Sequence, residues 1–397
     1  MSSLSQRPAT SGIIFMSILG ALMAFTSLST DIYLPAMPTM ATELQGDAEL
    51  TVTGFLIGFA IAQLIWGPIS DHIGRRIPLF IGMVLFVIGS VGCAMSQNIE
   101  QIVFWRVFQA LGACTGPMLA RAMIRDLFTS SKAAHMLSTL MIIMAVAPIV
   151  GPLLGGQMIK YSSWHSIFWL LAVIGILMFL SLNLLPETLS PGKRTKASLS
   201  SAFVNYFELF KNLPFMRYTL SLTCYYVAAY AFITGSPFVY IDYYNVDPQY
   251  YGWLFAVNII GVMGMSFVNR RLVHRFRLDT LLKATTLIAT TGVITMAFAV
   301  SADIGGIWMI IVPVFVFFSM NGIIAASSTA AALDEVERNA GSASALIGAL
   351  QYGSGIISTL LLAHFRDGTP WTMTWIIALF TTMSALLLWT KRSRRRA

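Results

Sequence analysis

Residues 50–97 read LTVTGFLIGFAIAQLIWGPISDHIGRRIPLFIGMVLFVIGSVGCAMSQ. Two apolar runs, 50–70 and 77–97, flank a short polar turn that holds Asp71, His72, Arg75 and Arg76. Each run is about as long as the roughly 20 residues a helix needs to cross a bilayer. Neither alternates in polarity as a barrel strand would. In hydrocarbon the backbone must satisfy its own hydrogen bonds, so helices are the physical default.

The same reading extends along the chain. Twelve apolar runs lie at about 12–38, 50–70, 77–97, 101–121, 134–159, 165–185, 216–240, 249–269, 279–301, 305–330, 340–363 and 371–390. The 397 residues are 56% hydrophobic and 11% charged, with a mean hydropathy of +0.74. Soluble domains carry about 25% charged residues. Such a chain lacks the polar side chains to cover a water-facing surface, which argues against a soluble enzyme or a DNA-binding protein. The expected fold class is an all-α membrane protein with twelve transmembrane helices in two pseudo-symmetric six-helix bundles.

Net charge of +8 then becomes a question of sidedness, since Lys and Arg favour cytoplasmic loops. With both termini inside, 22 of the 25 Lys and Arg fall on cytoplasmic segments. Lys160 and Arg366 are left outside, and Arg106 lies within a span. Residues 1–11 precede a run too long for a signal-peptide core, so the first span is expected to stay as an anchor. The terminal KRSRRR reads as a topology anchor that also suits anionic lipid, with no nucleic-acid role expected.

The longest polar interruption, 186–214, follows the sixth span. It divides the chain into an N-terminal bundle (1–186), a cytoplasmic linker (187–214) and a C-terminal bundle (215–397). The basic stretch 269–277 (NRRLVHRFR), after span eight, echoes the loop after span two in charge alone and hints at a duplicated unit.

No phosphate-binding loop is present, because the only Gly-Lys pair, Gly192-Lys193, lacks the surrounding pattern. Energy, if used, is expected from an ion gradient. Cys93, Cys114 and Cys224 lie in apolar stretches and form neither a disulfide framework nor a metal pattern. The five histidines fall near span ends, and no cofactor or metal is expected.

A charge inside a span costs several kcal/mol unless paired or facing water. Asp31 in span 1 and Arg106 in span 4 meet that description. At 1.5 Å per residue, Asp31 lies roughly 27 Å from the inner edge and Arg106 roughly 8 Å below the outer edge. Both therefore belong to the outer half, where they are placed to share an aqueous cavity and couple electrostatically. A nearby cation favours the carboxylate and burial favours the acid, so such a site can exchange a proton for a cargo. Two plainer readings stand beside this one: an interfacial aspartate ahead of Pro35 and Pro38, and an arginine bonded to helix carbonyls. Asp126 and Arg125, at an inner helix end, read as loop anchors.

The remaining cavity lining must be neutral. Gln63, Asn258, Asn321 and Gln351 are amides within spans, where facing lipid is unfavourable. Tyr33 stands beside Asp31, and span 7 gathers Tyr225, Tyr226, Tyr230, Phe232 and Phe238. We take Tyr33, Tyr226 and Tyr230 with the four amides as candidate substrate contacts. The same residue types also pack helices.

Three motifs carry a resemblance. Gly67-Pro-Ile-Ser-Asp71-His-Ile-Gly74-Arg75-Arg76 resembles the GxxxDxxGRR loop of the major facilitator superfamily, with His72 where an arginine is usual. Its glycines are expected to permit a tight turn, and Asp71 and Arg75 to pair with each other or with helix ends of the other half. Pro148-Ile-Val-Gly151-Pro152-Leu-Leu-Gly155-Gly156 resembles that superfamily's antiporter motif, where prolines kink and glycines let backbones approach. Arg106-Val-Phe-Gln109-Ala110-Leu-Gly112 resembles its proton-coupling motif, with Ala110 in place of a glycine. With Thr30-Asp31-Ile-Tyr33-Leu-Pro35, Ser163-Trp164-His165, Pro186-Glu187-Thr188, Ser236-Pro237-Phe238 and Leu333-Asp334-Glu335, the chain resembles the Bcr/CflA drug-resistance branch over nearly its whole length.

That resemblance implies a drug–proton antiporter of the bacterial inner membrane; a monomer is expected. Asp31 would be its protonatable site, Arg106 the partner, and amphipathic compounds of bicyclomycin or chloramphenicol type the cargo. An exporter or proton-coupled uptake carrier of a physiological solute is the alternative. A membrane enzyme or a receptor fits less well, since neither a clustered acid–base site nor a signalling domain is evident.

Overall fold

The computed structural model describes residues 12–195, 199–336 and 340–389. Arg7, Lys196, Arg338 and the terminal KRSRRR, on which part of the charge count rests, lie outside the described residues. Among the described residues all regular structure is helical.

Twelve helical spans are long and apolar enough to cross a membrane. Spans 1 to 4 are Ile13–Glu43, Glu49–Ile73, Arg76–Ala94 and Ile99–Leu127. Span 5 lies in the helix Ser130–Tyr161, and span 6 is Trp164–Leu184. Spans 7 to 10 are Leu213–Tyr243, Pro248–Leu272, Leu278–Ser301 and Trp308–Leu333. Span 11 is Ala340–His364 and span 12 is Trp371–Trp389. Several run past the apolar runs that announce them. Span 1 continues to Glu43 and span 4 to Leu127, because polar and basic side chains prolong a helix beyond its lipid-facing stretch without adding hydropathy.

The packing repeats itself. In the first half span 2 packs on span 4, 3 on 4, 3 on 6, 1 on 5 and 1 on 4. Adding six to each number gives five matching pairs in the second half: 8 on 10, 9 on 10, 9 on 12, 7 on 11 and 7 on 10. The halves differ in one pairing, since span 7 packs extensively on span 12 while span 1 only touches span 6. Two large pairings join the halves, span 2 with span 11 and span 5 with span 8. These also exchange under the same shift of six, so two six-helix bundles meet about a pseudo-two-fold axis. The sequence shows this repeat only as an echo of charge, because helix packing constrains side-chain size and shape rather than identity.

The alternation of spans puts nearly all described Lys and Arg at one end, called here the basic end, with Lys160 and Arg366 at the far end. The polar interruption after span 6 contains a helix of its own, Leu199–Lys211. It packs on spans 2, 7 and 11 at the basic end, and the Tyr206 hydroxyl donates to the Leu64 carbonyl of span 2 at 3.2 Å. Val204, Phe207 and Phe210 remain exposed, as befits a helix lying at a membrane surface.

Candidate functional site

Span 1 is a helix only as far as Asp31. A short 3-10 turn, Leu34–Ala36, and a second helix, Met37–Glu43, complete it. Pro35 and Pro38 lack amide hydrogens, so the helical ladder loses two donors here and the helix is interrupted ahead of them. The interrupted segment packs on span 5 of its own bundle and on spans 7 and 8 of the other. The break places Asp31 at the seam between bundles.

Asp31 is 7% exposed. Its Oδ1 accepts from the Thr30 hydroxyl at 2.9 Å. No cation lies within ion-pair distance of its carboxylate among the described residues. Tyr230, Tyr251 and Tyr352, all from the C-terminal bundle, lie within its electrostatic range. The interfacial reading of Asp31 therefore does not describe its surroundings.

Arg106 is sealed off entirely, at 0% exposure. Its Nη1 donates to the Ser29 carbonyl at 3.0 Å and to the Gln109 amide oxygen at 2.5 Å. Its Nε reaches the Thr51 carbonyl at 3.4 Å. Gln109 is held in turn by a bond from its amide nitrogen to Ser90 Oγ at 2.8 Å. The guanidinium carbon sits 4.5 Å from the ring centre of Tyr33 and 4.4 Å from that of Phe55, and cation–π contact in a dry site contributes about 2 kcal/mol.

The expectation that Arg106 and Asp31 share an aqueous cavity is thus corrected. The arginine is packed inside the N-terminal bundle, bonded to backbone in the last turn before span 1 breaks. It acts on Asp31 as a field and as a pin on the helix end, not as an ion-pair partner. Depth along a helix is legible in sequence; the direction in which a side chain points is not.

Span 5 supplies the wall against which Asp31 rests. A Cβ added to Gly151 would lie 3.4 Å from the Asp31 Cβ, and one on Gly155 would strike the Ile32 carbonyl. A Cβ on Gly156 would meet the Pro248 carbonyl of span 8 at 2.6 Å. The small residues bring span 5 against the broken turn of span 1 on one side and the opposite bundle on the other. Pro148 and Pro152 lie within the same helix, Ser130–Tyr161, which runs unbroken through both.

The neutral candidates divide. Tyr226 is half-buried, with its hydroxyl in hydrogen-bond reach of Asn321 and Gln351. The Asn321 side-chain oxygen Oδ1 is buried and makes no hydrogen bond among the described residues. The Tyr230 ring lies 6.3 Å from Tyr226 and 6.5 Å from Tyr352. Tyr352 in turn packs 4.1 Å from Phe59 of span 2. Gln63, half-buried, accepts from the Cys114 thiol at 3.3 Å and lies against Gly348 of span 11. These groups sit roughly 15–25 Å from the basic end, at or below the level of Asp31.

Two candidates do not join them. Tyr33 is fully buried beneath Arg106 and bonds Thr51 Oγ1 at 3.1 Å, which makes it part of the arginine's casing. Asn258 is buried, with its amide donating to the Leu254 carbonyl of its own helix. Of the other span 7 aromatics, Tyr225 stacks on Phe317 and Phe232 packs on Phe255 and Phe318 within the C-terminal bundle. Tyr352 is a further member of the group around Tyr226, and its signal in the sequence is the polar pair Gln351-Tyr352 inside a span.

At the basic end, Arg75 pairs with Asp71 at 2.6 Å and with Asp126 at 2.8 Å, both in its own bundle. Asp126 is thus a partner in a charge cluster rather than a plain loop anchor. Glu187 accepts from the backbone N–H groups of Arg75 at 2.9 Å and Arg76 at 3.1 Å, where span 3 begins. Burial alone would push this carboxyl up, but the N–H groups of Arg75, Leu189, Arg76 and Thr188 outweigh it and hold it below its ordinary value. Arg76 itself lies 5.6 Å from the Phe80 ring. Gly74 has φ of +102°, which favours glycine, and a Cβ there would strike Glu187. Gly67 has no such role: it lies inside the helix Glu49–Ile73, so the turn is made at Gly74 alone.

Comparison with known proteins gives a consistent picture. The family model described as Major Facilitator Superfamily matches residues 18–359. An uncharacterized MFS-type transporter of Bacillus subtilis, YdgK, is 36% identical over 89% of each chain. A bicyclomycin resistance protein homolog of Haemophilus influenzae is 27% identical over 97% of each chain. Among solved structures, a D-xylose-proton symporter superposes with a TM-score of 0.74 at 15% identity, covering 95% of this chain and 97% of that one.

Proposed function

Since the chain belongs to the major facilitator superfamily, and is thereby a multi-pass membrane transporter, we propose that it exports amphipathic drug-like compounds across the bacterial inner membrane in exchange for protons. The observation that carries this reading is the Asp31 carboxylate at the seam of the bundles, buried and, among the described residues, without a cation in contact. The full-length likeness to a bicyclomycin resistance homolog supports the cargo class.

The basic end faces the cytoplasm in this proposal, as the positive-inside tendency requires. Residues 1–186 and 215–397 act as two bodies joined by 187–214, and a single chain suffices for the cycle. The compound enters from the cytoplasmic side and rests among Tyr226, Tyr230, Asn321, Gln351 and Gln63. Flat aromatic faces with a few amides accommodate varied apolar shapes. The bundles rock, the compound leaves outside, and Asp31 takes a proton that is released inward on return. Coupling requires that cargo and proton favour different states. The span 5 glycines let the broken turn of span 1 move with that wall, and the Arg75 cluster holds the N-terminal bundle rigid at its cytoplasmic edge. No cofactor takes part; the proton is the coupling ion.

Asp31→Asn keeps the size and hydrogen bonding of the side chain and removes its titration. In everted vesicles the variant is expected to lose the response of drug movement to an imposed pH gradient, while drug-driven counterflow survives. A pump-deficient host carrying it should be as drug-sensitive as one with no transporter. Full gradient-driven transport by Asp31→Asn would reject the assignment.

A further inference from the structure

At the far end, the seam is closed by a charged cluster that the coupling scheme does not use. Glu49 is the first residue of span 2 and is 3% exposed. It lines a small cavity of about 80 Å³ with Phe238, Asp242, Tyr243, Arg366, Asp367 and Thr372 of the C-terminal bundle. Its Oε2 has no hydrogen-bond partner among the described residues. The only cation near it among the described residues is Arg366, whose Nη1 stands 3.9 Å from that oxygen. The same nitrogen lies 3.5 Å from Asp47 Oδ1. The guanidinium also covers the Phe238 ring at 4.7 Å.

Three carboxylates, Asp47, Glu49 and Asp242, therefore lie around one guanidinium. They are divided between bundles: Asp47 and Glu49 belong to the first, Asp242 and Arg366 to the second. Asp47, Asp242 and Arg366 also border an open cleft on the same surface, so water reaches the arginine. Glu49 sits deeper. One turn further along span 2, Thr53 and Thr359 of span 11 meet at 2.5 Å and shut the seam. Other contacts across this end, such as Lys160 with Gln249 at 2.9 Å, carry no buried charge.

When the bundles part at this end, Arg366 departs with the second bundle. Glu49 stays with the first, beside Asp47, and loses its only counter-charge. We propose that Glu49 is a second proton-binding site of the carrier, at the outer seam, where a proton replaces Arg366 as the bundles separate. The bare Oε2 oxygen is the atom that receives it. Binding there stabilises the outward-open state only, and a ligand that binds one of two states shifts the population toward it. The inference rests on alternating access, but it does not require Asp31 to be the coupling site or a drug to be the cargo.

The test reads conformation rather than transport. Nitroxide labels at Gln97 and Ile304, exposed at the far ends of the two bundles, report their separation in proteoliposomes by pulsed EPR. The background carries alanine at the three native cysteines and is first shown to be monodisperse and to keep the parent's helical content. Lowering the pH from about 8 to about 5 is expected to raise the long-distance population about fivefold, the effect of a difference of about 1 kcal/mol between states. Asp31→Asn should show the same response. Glu49→Gln should favour the long distance at both pH values and respond to neither. Glu49→Asp, which still titrates, should keep a response.

A Glu49→Gln protein that responds to pH like its parent would overturn the proposal. So would a response that follows sodium concentration at fixed pH, or Glu49→Asp behaving as Glu49→Gln. If Asp31→Asn transports normally while Glu49 controls the opening, the coupling assignment falls and this one stands.

Discussion

Two charged regions of the N-terminal bundle are built on opposite plans. Around Arg75, two aspartates approach the guanidinium within 2.8 Å, and Ser70 Oγ accepts from its Nη1 at 2.7 Å. Glu187 fastens the adjoining backbone. Around Asp31, one neighbouring hydroxyl is the only hydrogen-bond partner among the described residues, and the nearest buried cation is committed to carbonyls elsewhere. A saturated cluster holds its members in one arrangement, because releasing any partner strands a charge. An unsaturated carboxylate has no such lock and can change protonation state at little structural cost. The first plan suits a brace and the second a switch.

The largest expected effect separates the two plans directly. Arg75→Ala leaves Asp71 and Asp126 without their shared cation; Asp71 is half exposed and screened by water, so the cost comes from Asp126, 17% exposed, and reaches about 3 kcal/mol. The apparent Tm in detergent should fall by several degrees, and transport should fall with the amount of folded protein. Asp31→Asn should do the reverse: Tm unchanged or raised, gradient response gone. A large loss of stability in Asp31→Asn would mean that the carboxylate is a brace as well, and the contrast would fail.

Glycine substitutions give the next effect. Gly155→Ala places a methyl group against the Ile32 carbonyl, backbone that cannot swing aside. Overpacking of this kind costs about 1–3 kcal/mol, and here it should displace the turn that carries Asp31. Its signature is loss of transport at near-normal expression. Gly67→Ala meets nothing within 4 Å and should gain slightly in stability, as alanine does over glycine inside a helix. Equal behaviour of the two variants, measured by transport and Tm, would show that the span 5 glycines have no special place beside Asp31.

Much of this was legible in the sequence, and the remainder has identifiable reasons. The spans could be read because hydrocarbon admits only long apolar helices, so even Leu28–Thr30, polar at its end, sits inside an unmistakable run. Asp31 was legible because a charge there needs a reason. The Arg75–Asp71 pair was legible because four residues separate them on adjoining helix ends. Asp126 and Glu187 were not, since they reach Arg75 across 51 and 112 residues. The place of Arg106 along span 4 is legible in sequence but its surroundings are not, because rotation about the helix axis depends on neighbours that no local pattern names. Tyr33 failed for the same reason, being drawn under the guanidinium rather than toward cargo.

Glu187 gives the smallest effect and the most direct test of the brace. Its carboxylate sits at the N-terminus of span 3, where a negative charge meets the positive end of the helix dipole and free N–H groups. Its folded value lies below the ordinary 4.5, so the stability it contributes is fully present above that pH. It is lost as pH falls toward and through the lowered value, when the folded protein too takes up the proton. Glu187→Gln keeps an acceptor oxygen but removes the charge, and should cost about 0.5–1 kcal/mol at neutral pH. The gap in Tm between parent and variant should then close between pH 5 and pH 3. A gap that persists unchanged in acid would mean that Glu187 acts through shape and not through charge, and the Arg75 region would be a brace of hydrogen bonds rather than of ions.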